Sequence, residues 1–212
     1  MLEQVRALHE DTVYRSLAEV AEQAAHCRDC PLWKNATQTV FGAGRKSARI
    51  MFVGEQPGDQ EDRAGEPFVG PAGKLLDRAL ADAAIDRRTT YVTNAVKHFK
   101  WEPRGKRRIH KKPNELEIKA CHQWLDRELA LVRPALVVAL GATAARAVLG
   151  RATAIEKNRG RIIAGAQAKT PLDADLLVTV HPSFLLRVPE EDRDEAYERF
   201  VADLKLIRPY TS

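Results

Sequence analysis

The chain has 212 residues, a mass of 23.7 kDa and 44% hydrophobic residues, which is enough for one compact domain with a substantial core. This length leaves little room for two domains, so we expect a single domain over residues 1–212. No stretch is long and apolar enough to cross a bilayer, and the charged N-terminus MLEQVRALHED lacks the apolar run of a secretory signal. We therefore expect a soluble, intracellular, cytoplasmic protein.

The formal net charge of +5 is distributed unevenly along the chain. Residues 97–112, KHFKWEPRGKRRIHKK, carry eight Lys or Arg against one Glu, so this segment holds +7 and the remainder sums to about −2. Phe99 and Trp101 lie among these cations. A basic loop of this composition predicts contact with a polyanion, and nucleic acid is the favoured partner.

Four runs of β-branched and apolar residues predict buried strands at residues 49–53, 91–93, 135–140 and 176–180, with a candidate short extra strand at 161–163. Helical patterns cover residues 2–26, 72–84, 114–132, 142–149 and 190–207. Alternating strands and helices with long connections favour a parallel sheet covered by helices on both faces. The predicted fold class is α/β, a three-layer α/β/α sandwich with a central four-stranded parallel sheet.

The residues that directly follow the predicted strands are the candidates for a ligand site. Open parallel sheets bind ligands outside the carboxyl ends of their strands. The first strand leads into GEQPGD at 54–59, and the later ones lead into Asn94, residues 141–143 and the run His181, Pro182, Ser183. We expect these groups to converge on one rim, from which the basic segment would also project.

Three cysteines, Cys27, Cys30 and Cys121, are too few for a closed disulfide set and fit a reducing compartment. The two-residue spacing of the first pair favours ligation of a metal or a cluster.

Four motifs together resemble the uracil-DNA glycosylase superfamily, and specifically its iron-sulfur branch: GEQPGD (54–59), EPFVGPAGKLLDRAL (66–80), YVTNAVKH (91–98) and VHPSFLLR (180–187). The insertion GKRRIH (105–110) resembles the UdgX type, in which that histidine becomes covalently joined to DNA once uracil is removed. The resemblance extends from about residue 27 to about residue 206. It implies a glycosylase that accepts a flipped 2′-deoxyuridine and is captured by its own product.

The resemblance makes the loop at 54–59 the wall that holds the nucleotide. Glu55 becomes the carboxylate near the sugar, where it would favour the positive charge of the breaking glycosidic bond or accept a proton. Gln56 would position its neighbours through hydrogen bonds. Gly54 and Asp59 are assigned to uracil binding with this loop, although a turn-capping role explains Asp59 equally well.

Three further side chains are assigned to the base. Phe68 would stack on uracil, as aromatic rings commonly do with flipped bases. Asn94 offers one donor and one acceptor, which complements the O4 and N3–H edge of uracil. His181 would donate to uracil O2, where negative charge accumulates as the base leaves. Structural turns would explain Asn94 and His181 without any ligand.

His110 is the predicted nucleophile. The neighbouring cations disfavour a further positive charge and should keep its imidazole neutral: Lys106, Arg107, Arg108, Lys111 and Lys112. A neutral ring nitrogen can attack the sugar C1′. If Glu55 then removes the other ring proton, the product is a neutral N-alkyl imidazole, which is a poor leaving group. The predicted DNA contacts are Lys106, Arg107, Arg108, Ser183 and Arg187, with helix capping as the alternative for Ser183.

The family carries a 4Fe-4S cluster bound by four cysteines in its better known members, and this chain departs from that pattern. It has His98 where a cysteine would follow YVTNAVK, so the predicted ligands are Cys27, Cys30, His98 and Cys121. Three cysteines and one histidine would also suit tetrahedral zinc. The resemblance favours iron-sulfur, and the cluster would act as a structural clip.

Two other functions stay open. One is a turnover iron-sulfur uracil-DNA glycosylase in which water attacks instead of His110. The other is a non-catalytic, zinc-containing nucleic-acid-binding module. For the favoured function we expect uracil-containing DNA as partner, with single-stranded or mismatched uracil preferred because extrusion costs less there, and a monomeric protein.

Overall fold

The computed structural model describes residues 16–168 and 174–211 of the chain. The strands are β1 (Ala43–Gly44), β2 (Ile50–Gly54), β3 (Tyr91–Asn94), β4 (Trp101–Arg104), β5 (Arg107–His110), β6 (Leu136–Leu140), β7 (Ile162–Ile163) and β8 (Asp175–Thr179). Together they form one large sheet and one separate hairpin.

The α-helices are α1 (Leu17–Ala25), α2 (Asp59–Ala64), α3 (Pro71–Asp82), α4 (Glu115–Val132), α5 (Ala142–Leu149), α6 (Ile155–Asn158), α7 (Gly165–Ala168), α8 (Pro182–Leu185) and α9 (Arg193–Lys205). Short 3₁₀ helices cover Pro31–Lys34, Arg87–Thr89, Glu190–Asp192 and Arg208–Tyr210. Residues 2–15 of the predicted N-terminal helix lie outside the described residues. Within residues 16–168 and 174–211, none of the helices has the length and apolar character to span a membrane.

The large sheet has six strands instead of the four predicted, in the order β1-β3-β2-β6-β8-β7. The four inner strands run parallel, and their positions match the predicted runs to within one residue at each end. The edge strands β1 and β7 pair antiparallel and have two residues each, which is too short to show a strand periodicity. β7 lies within the short extra strand considered at 161–163, whereas β1 was missed.

Alternate side chains of β2 enter two different apolar clusters. Met51 and Val53 pack in a cluster with residues of α1, α4 and α5. Ile50 and Phe52 pack on the other face with residues of α3 and α9. Successive side chains of a strand point to opposite faces of a sheet, so helices cover both faces of this one. The predicted three-layer α/β/α arrangement is confirmed.

The basic segment contains a β-hairpin, whereas the sequence predicts a loop. Strand β4 pairs antiparallel with β5, which places Trp101 opposite His110 and Arg104 opposite Arg107. Gly105 opens the two-residue turn with φ of 59°, a left-handed conformation that glycine adopts without strain. His110 is therefore held at a fixed position in a paired strand.

A buried ion pair lies directly behind the carboxyl end of β3. The side chains of Lys97 and Glu128 are 1% and 0% exposed and form a salt bridge. The Lys97 ammonium also donates to Thr93 Oγ1 at 2.6 Å and to the main-chain oxygen of Asn94 at 2.7 Å. Glu128 accepts further hydrogen bonds from Tyr91, Thr93 and the main-chain N–H of Gly42. Because both charged groups have hydrogen-bond partners in addition to each other, the pair fixes the carboxyl end of β3 against α4.

Removing only one charge of this pair should be costly. Lys97→Met should lower the free energy of unfolding by about 3 kcal/mol, because the Glu128 carboxylate stays buried without a counter-charge. Adding Glu128→Gln should recover part of the loss. Urea denaturation followed by tryptophan fluorescence measures both. A single variant as stable as the wild type, or a double variant less stable than the single one, would contradict this account.

Candidate active site

A cavity of about 360 Å³ lies at the carboxyl ends of β2, β3 and β8. Its lining residues include Gln56, Asp59, Glu61, Phe68, Asn94, His110, His181, Ser183 and Leu186. The predicted convergence on one rim therefore occurs, and the hairpin brings His110 to the same wall. A second cavity, of about 340 Å³ near Leu149, Arg151 and Leu176, contains none of the predicted site residues.

Phe68 and Gly54 shape the inner wall of this cavity. Phe68 is 5% exposed, adopts a left-handed φ of 59° and stacks against His181 with ring centroids 6.1 Å apart. A Cβ atom on Gly54 would lie 2.7 Å from Phe68 Cζ and 2.3 Å from Asn94 Oδ1. Only glycine at position 54 lets the aromatic ring and the carboxamide approach β2 this closely.

Asn94 is the last residue of β3 and is buried in the wall of the cavity. Its main-chain oxygen accepts the hydrogen bond from Lys97, so its backbone is held by the buried ion pair. The amide reader predicted at this position thus lies beside the predicted stacking ring, on a backbone that has little freedom.

His181 is held in one tautomer by Ser183. The main-chain N–H of Ser183 donates to His181 Nδ1 at 3.1 Å, and the Ser183 hydroxyl lies 2.8 Å from the same nitrogen. Burial, together with the charges of His110 and Arg187, lowers the pKa of His181 to about 4. The ring is therefore neutral near pH 7, and its proton lies on Nε2, where it can be donated to a ligand. Ser183, predicted as a DNA contact, orients this histidine.

Glu55 has a different partner on each carboxylate oxygen. Oε2 accepts a hydrogen bond from the Thr143 hydroxyl, and Oε1 lies 3.5 Å from His110 Nε2. The side chains of Glu55 and His110 are 23% and 48% exposed, and His110 lines the cavity. Thr143 was not among the predicted site residues, although it belongs to the run that follows β6.

The pKa of His110 is lowered, as the sequence predicts, but for a different reason. Burial is the largest cause, and among the charges Arg187 lowers it while Glu55 raises it. The hairpin cations were expected to cause this shift, yet the cation that acts on the ring is the one after α8. Of the two ring nitrogens, Nε2 is the one that faces Glu55.

Gln56 uses its whole carboxamide to hold the basic segment. Its Nε2 donates to the main-chain oxygens of Lys100 and Lys111, and its Oε1 accepts from the main-chain N–H of Lys100. These bonds tie both ends of the hairpin to the loop after β2. The sequence predicts that Gln56, proposed as part of the catalytic set, positions its neighbours, and these hydrogen bonds are of that kind.

Arg108, predicted as a DNA contact, is engaged in ion pairs within the fold. Its side chain is 14% exposed, its Nη1 lies 2.6 Å from Asp62 and its Nε donates to Asp59. The guanidinium also lies 5.3 Å from the ring of Phe99 and 5.5 Å from that of Trp101. Arg108 thus clamps the hairpin onto α2, and Asp59 serves that clamp while lining the cavity.

Glu61 is a site residue that the sequence analysis missed. Its buried carboxylate accepts from the main-chain N–H of Gly70 at 2.7 Å and from that of Gly58 at 3.1 Å. It therefore joins the loop after β2 to the loop that carries Phe68. Its signal in the sequence was only its position three residues after Gly58, which is typical of a capping box.

Half of the positive charge in residues 97–112 is neutralised within the fold. Four of the eight cations pair with carboxylates: Lys97, Lys100, Arg108 and Lys111. The other four are exposed: Arg104, Lys106, Arg107 and Lys112. DNA contact by Lys106 and Arg107 stays a prediction. Arg187 is exposed on the same rim, close enough to lower the pKa of both cavity histidines.

The three cysteines lie near one another. Burial raises the pKa of Cys121 to about 12, and the nearby Cys27 and Cys30 contribute to the same shift. The indole N–H of Trp124 donates to Cys27 Sγ at 3.2 Å, and the main-chain N–H of Lys97 donates to Cys121 Sγ at 3.1 Å. Such N–H to sulfur hydrogen bonds suit thiolates that ligate a cluster or a metal.

His98 is oriented in a way that suits a ligand, but its place beside the cysteines stays a prediction. The Thr39 hydroxyl donates to the main-chain oxygen of Ala24 and lies 2.9 Å from His98 Nε2, so Nε2 carries the proton and Nδ1 keeps its lone pair. Burial lowers the pKa of His98, which keeps the ring neutral. In the part of the chain that the structure describes, no three His, Cys, Asp or Glu side chains are arranged to hold a metal ion.

Comparison with known proteins identifies the relatives of this chain. The profile of the "Uracil DNA glycosylase superfamily" matches residues 41–205. The chain is 39% identical to a type-4 uracil-DNA glycosylase of Thermotoga maritima over 169 residues, which cover 79% of this chain and 82% of the relative. It is 34% identical to a type-4 uracil-DNA glycosylase of Archaeoglobus fulgidus over 200 residues, covering 91% and 92%. A type-5 uracil-DNA glycosylase of Pyrobaculum aerophilum is 33% identical over 182 residues, covering 76% and 74%.

The ion pairs of Arg108 should limit how often the hairpin of β4 and β5 opens. Arg108→Gln should increase the rate of amide hydrogen exchange in β4 and β5 roughly tenfold, because Asp62 loses its buried partner and the hairpin opens more often. Arg107→Gln removes the same charge from an exposed neighbour and should leave the exchange rates unchanged. Hydrogen exchange with mass spectrometry compares the two variants. Equal protection in both would show that Arg108 does not hold the hairpin.

Proposed function

The chain belongs to the uracil-DNA glycosylase superfamily, and we propose that it excises uracil from DNA and then becomes joined through His110 to C1′ of the resulting abasic sugar. One observation carries the second half of this proposal. His110 Nε2 lies 3.5 Å from Glu55 Oε1, on the wall of the cavity that also contains the predicted uracil-binding side chains. An imidazole and a carboxylate thus face the position where the sugar of a flipped nucleotide would lie.

The base would be recognised by groups that are already fixed. Phe68 offers a ring face for stacking, and the Asn94 carboxamide matches the O4 and N3–H edge of uracil. His181 is neutral and has its Nε2 proton available for uracil O2. Because Ser183 and the Lys97–Glu128 pair hold His181 and Asn94, little conformational entropy is lost when the base enters.

The excision step breaks the bond between C1′ and N1 of uracil. The bonding electrons leave with the base, whose negative charge is stabilised by the hydrogen bond from His181 Nε2 to O2. Positive charge develops on the sugar, and the Glu55 carboxylate lies where it can stabilise that charge electrostatically.

The capture step forms one bond and releases one proton. The lone pair of a neutral His110 nitrogen attacks C1′, and the resulting imidazolium loses its remaining ring proton, which balances the proton that the departing uracil anion takes up. No oxidant or reductant is required. The product is a neutral N-alkyl imidazole, which is a poor leaving group, so the adduct persists and each protein molecule reacts once.

DNA would be held mainly through phosphates. Lys106 and Arg107 are exposed cations of the hairpin that carries His110, and Arg187 is an exposed cation close enough to act on that ring, so all three would contact the phosphates near the flipped nucleotide. Binding through such contacts weakens steeply with added salt and depends little on sequence. We expect uracil in single strands or mismatches to be preferred, since less pairing energy is lost on extrusion.

We further propose a 4Fe-4S cluster held by Cys27, Cys30, Cys121 and His98. The N–H groups that already donate to two of the sulfurs, and the free Nδ1 of His98, support this ligand set. A cluster there would join the segment after α1, the loop after β3 and α4, so its contribution would be structural. Tetrahedral zinc remains the alternative, and visible absorption of the purified protein separates the two.

Capture by His110 can be tested on denaturing gels. Wild-type protein mixed with uracil-containing single-stranded DNA should give a heat-stable, slowly migrating band, whereas His110→Ser should give no such band while still releasing uracil. Lys112→Ser serves as the control, because it removes one exposed cation nearby and should keep the band.

Each other result of this experiment contradicts part of the proposal. Free abasic product from the wild type would indicate attack by water and a turnover enzyme. A band of normal intensity from His110→Ser would place the nucleophile elsewhere. Release of no uracil at all would favour a non-catalytic binding module.

The pH dependence of capture follows from the environment of His110. Because burial lowers its pKa, the ring should stay neutral at pH values where a free imidazole, with a pKa of about 6.5, is half protonated. The single-turnover rate of adduct formation should therefore be constant above neutrality and fall to half only below about pH 6.5. Quenched time courses between about pH 5.5 and pH 8.5 measure this. A midpoint above that of free imidazole would contradict the neutral-nucleophile account.

A further inference from the structure

Thr143 touches the carboxylate that faces the proposed nucleophile. It is the second residue of α5, its side chain is buried, and its hydroxyl donates to Glu55 Oε2. Glu55 Oε1, the other oxygen of the same carboxylate, lies 3.5 Å from His110 Nε2. The hydroxyl therefore holds the Glu55 carboxylate in an orientation in which its second oxygen faces the imidazole.

The hydroxyl of Thr143 does not cap the helix, so capping does not explain its contact with Glu55. The N-cap residue of α5 is Gly141, which has a φ of 89°, and no side chain forms a capping hydrogen bond at this end of the helix. The neighbouring Ala144 and Ala145 are fully buried against the sheet, so the helix end itself cannot move freely. A β-branched side chain in a helix has few rotamers, so the direction of the Thr143 hydroxyl is also restricted.

A glutamate next to an open cavity otherwise has three side-chain torsions and several accessible positions. A fixed donor on one oxygen removes most of these rotamers before substrate arrives. The amino-terminal end of α5 also favours a carboxylate near it. Glu55 is thus held in orientation by a residue at this helix end.

We propose that Thr143 is a positioning residue for the capture step: it aims Glu55 so that His110 and the sugar cation are held together at the carboxylate. This inference rests on the proposed function and adds to it a residue that contacts neither the base nor the sugar. Misplacement of a reacting group by about 1 Å costs on the order of 100-fold in rate, so loss of one orienting hydrogen bond should be visible in the kinetics.

The test compares Thr143→Val, which keeps the shape but loses the hydroxyl, with Thr143→Ser, which keeps the hydroxyl. Both are assayed in single turnover on uracil-containing single-stranded DNA, with uracil release and adduct formation followed separately. Thr143→Val should slow adduct formation roughly tenfold or more, and Thr143→Ser should stay within about twofold of the wild type. Thr90→Val is the matched control, because Thr90 is also buried but its hydroxyl donates to Arg87 O before β3 begins.

A second comparison shows whether the effect passes through Glu55. If Thr143 acts only by orienting this carboxylate, Thr143→Val should cause no further loss in a Glu55→Gln background. Independent, multiplying losses would overturn the inference. Thr143→Ala replaces Thr143→Val in the same comparison if the valine variant has a lowered melting temperature.

The outcomes separate this inference from the proposed function. If the wild type forms the adduct and Thr143→Val forms it at the same rate, the positioning role is wrong and the proposed function stands. If Thr143→Ser loses as much as Thr143→Val, the hydroxyl is not the cause and the inference is also wrong. If the wild type neither releases uracil nor forms an adduct, the proposed function itself fails and the inference falls with it.

Discussion

The buried ion pair of Lys97 and Glu128 connects the parts of this protein that have to work together. The Lys97 ammonium holds the main-chain oxygen of Asn94, and the main-chain N–H of the same lysine donates to Cys121 Sγ. Glu128 carries this contact to α4, which covers one face of the sheet. Burying two charges is costly, and it succeeds here because each is fully hydrogen-bonded. The carboxyl end of β3, the cysteine region and the proposed base reader therefore share one fixed support.

The cations of the basic segment, residues 97–112, are divided between ion pairs within the fold and exposed positions. Arg108 turns inward and is neutralised by Asp59 and Asp62, whereas the adjacent Arg107 points to solvent. Strand pairing causes this division, because successive side chains of β5 point to opposite faces of the hairpin. The inward cation fixes the hairpin, and the outward cation is exposed to solvent. His110 follows two residues after Arg108, so the clamp is close enough to set its position in the cavity.

The lowered pKa values of the two cavity histidines, His110 and His181, are caused more by burial than by neighbouring charges. Burial is the largest cause of the lowered pKa at both His110 and His181, and Arg187 adds to it at both. A neutral His181 has its Nε2 proton available for donation, and a neutral His110 keeps a lone pair. The carboxylate nearest His110 is that of Glu55, which has a hydroxyl donor at one oxygen and the imidazole near the other. The two histidines thus have different proposed tasks because different neighbours fix their ring nitrogens.

The four parallel strands, the helices on both faces and the rim on which Glu55, Asn94 and His181 meet could be predicted from the sequence, because continuous apolar runs and the residues after them are local patterns. The motifs also indicated the family and pointed to His110. Tertiary contacts were needed to show that residues 97–112 contain a hairpin, that Arg108 and not Arg107 is held in ion pairs, and that Thr143 and Glu61 contact residues of the site. The pairing of Lys97 with Glu128 could not be predicted from the sequence either. Each of these depends on partners far apart in the chain, and local periodicity carries no information on which distant side chain will supply a counter-charge or a hydrogen bond.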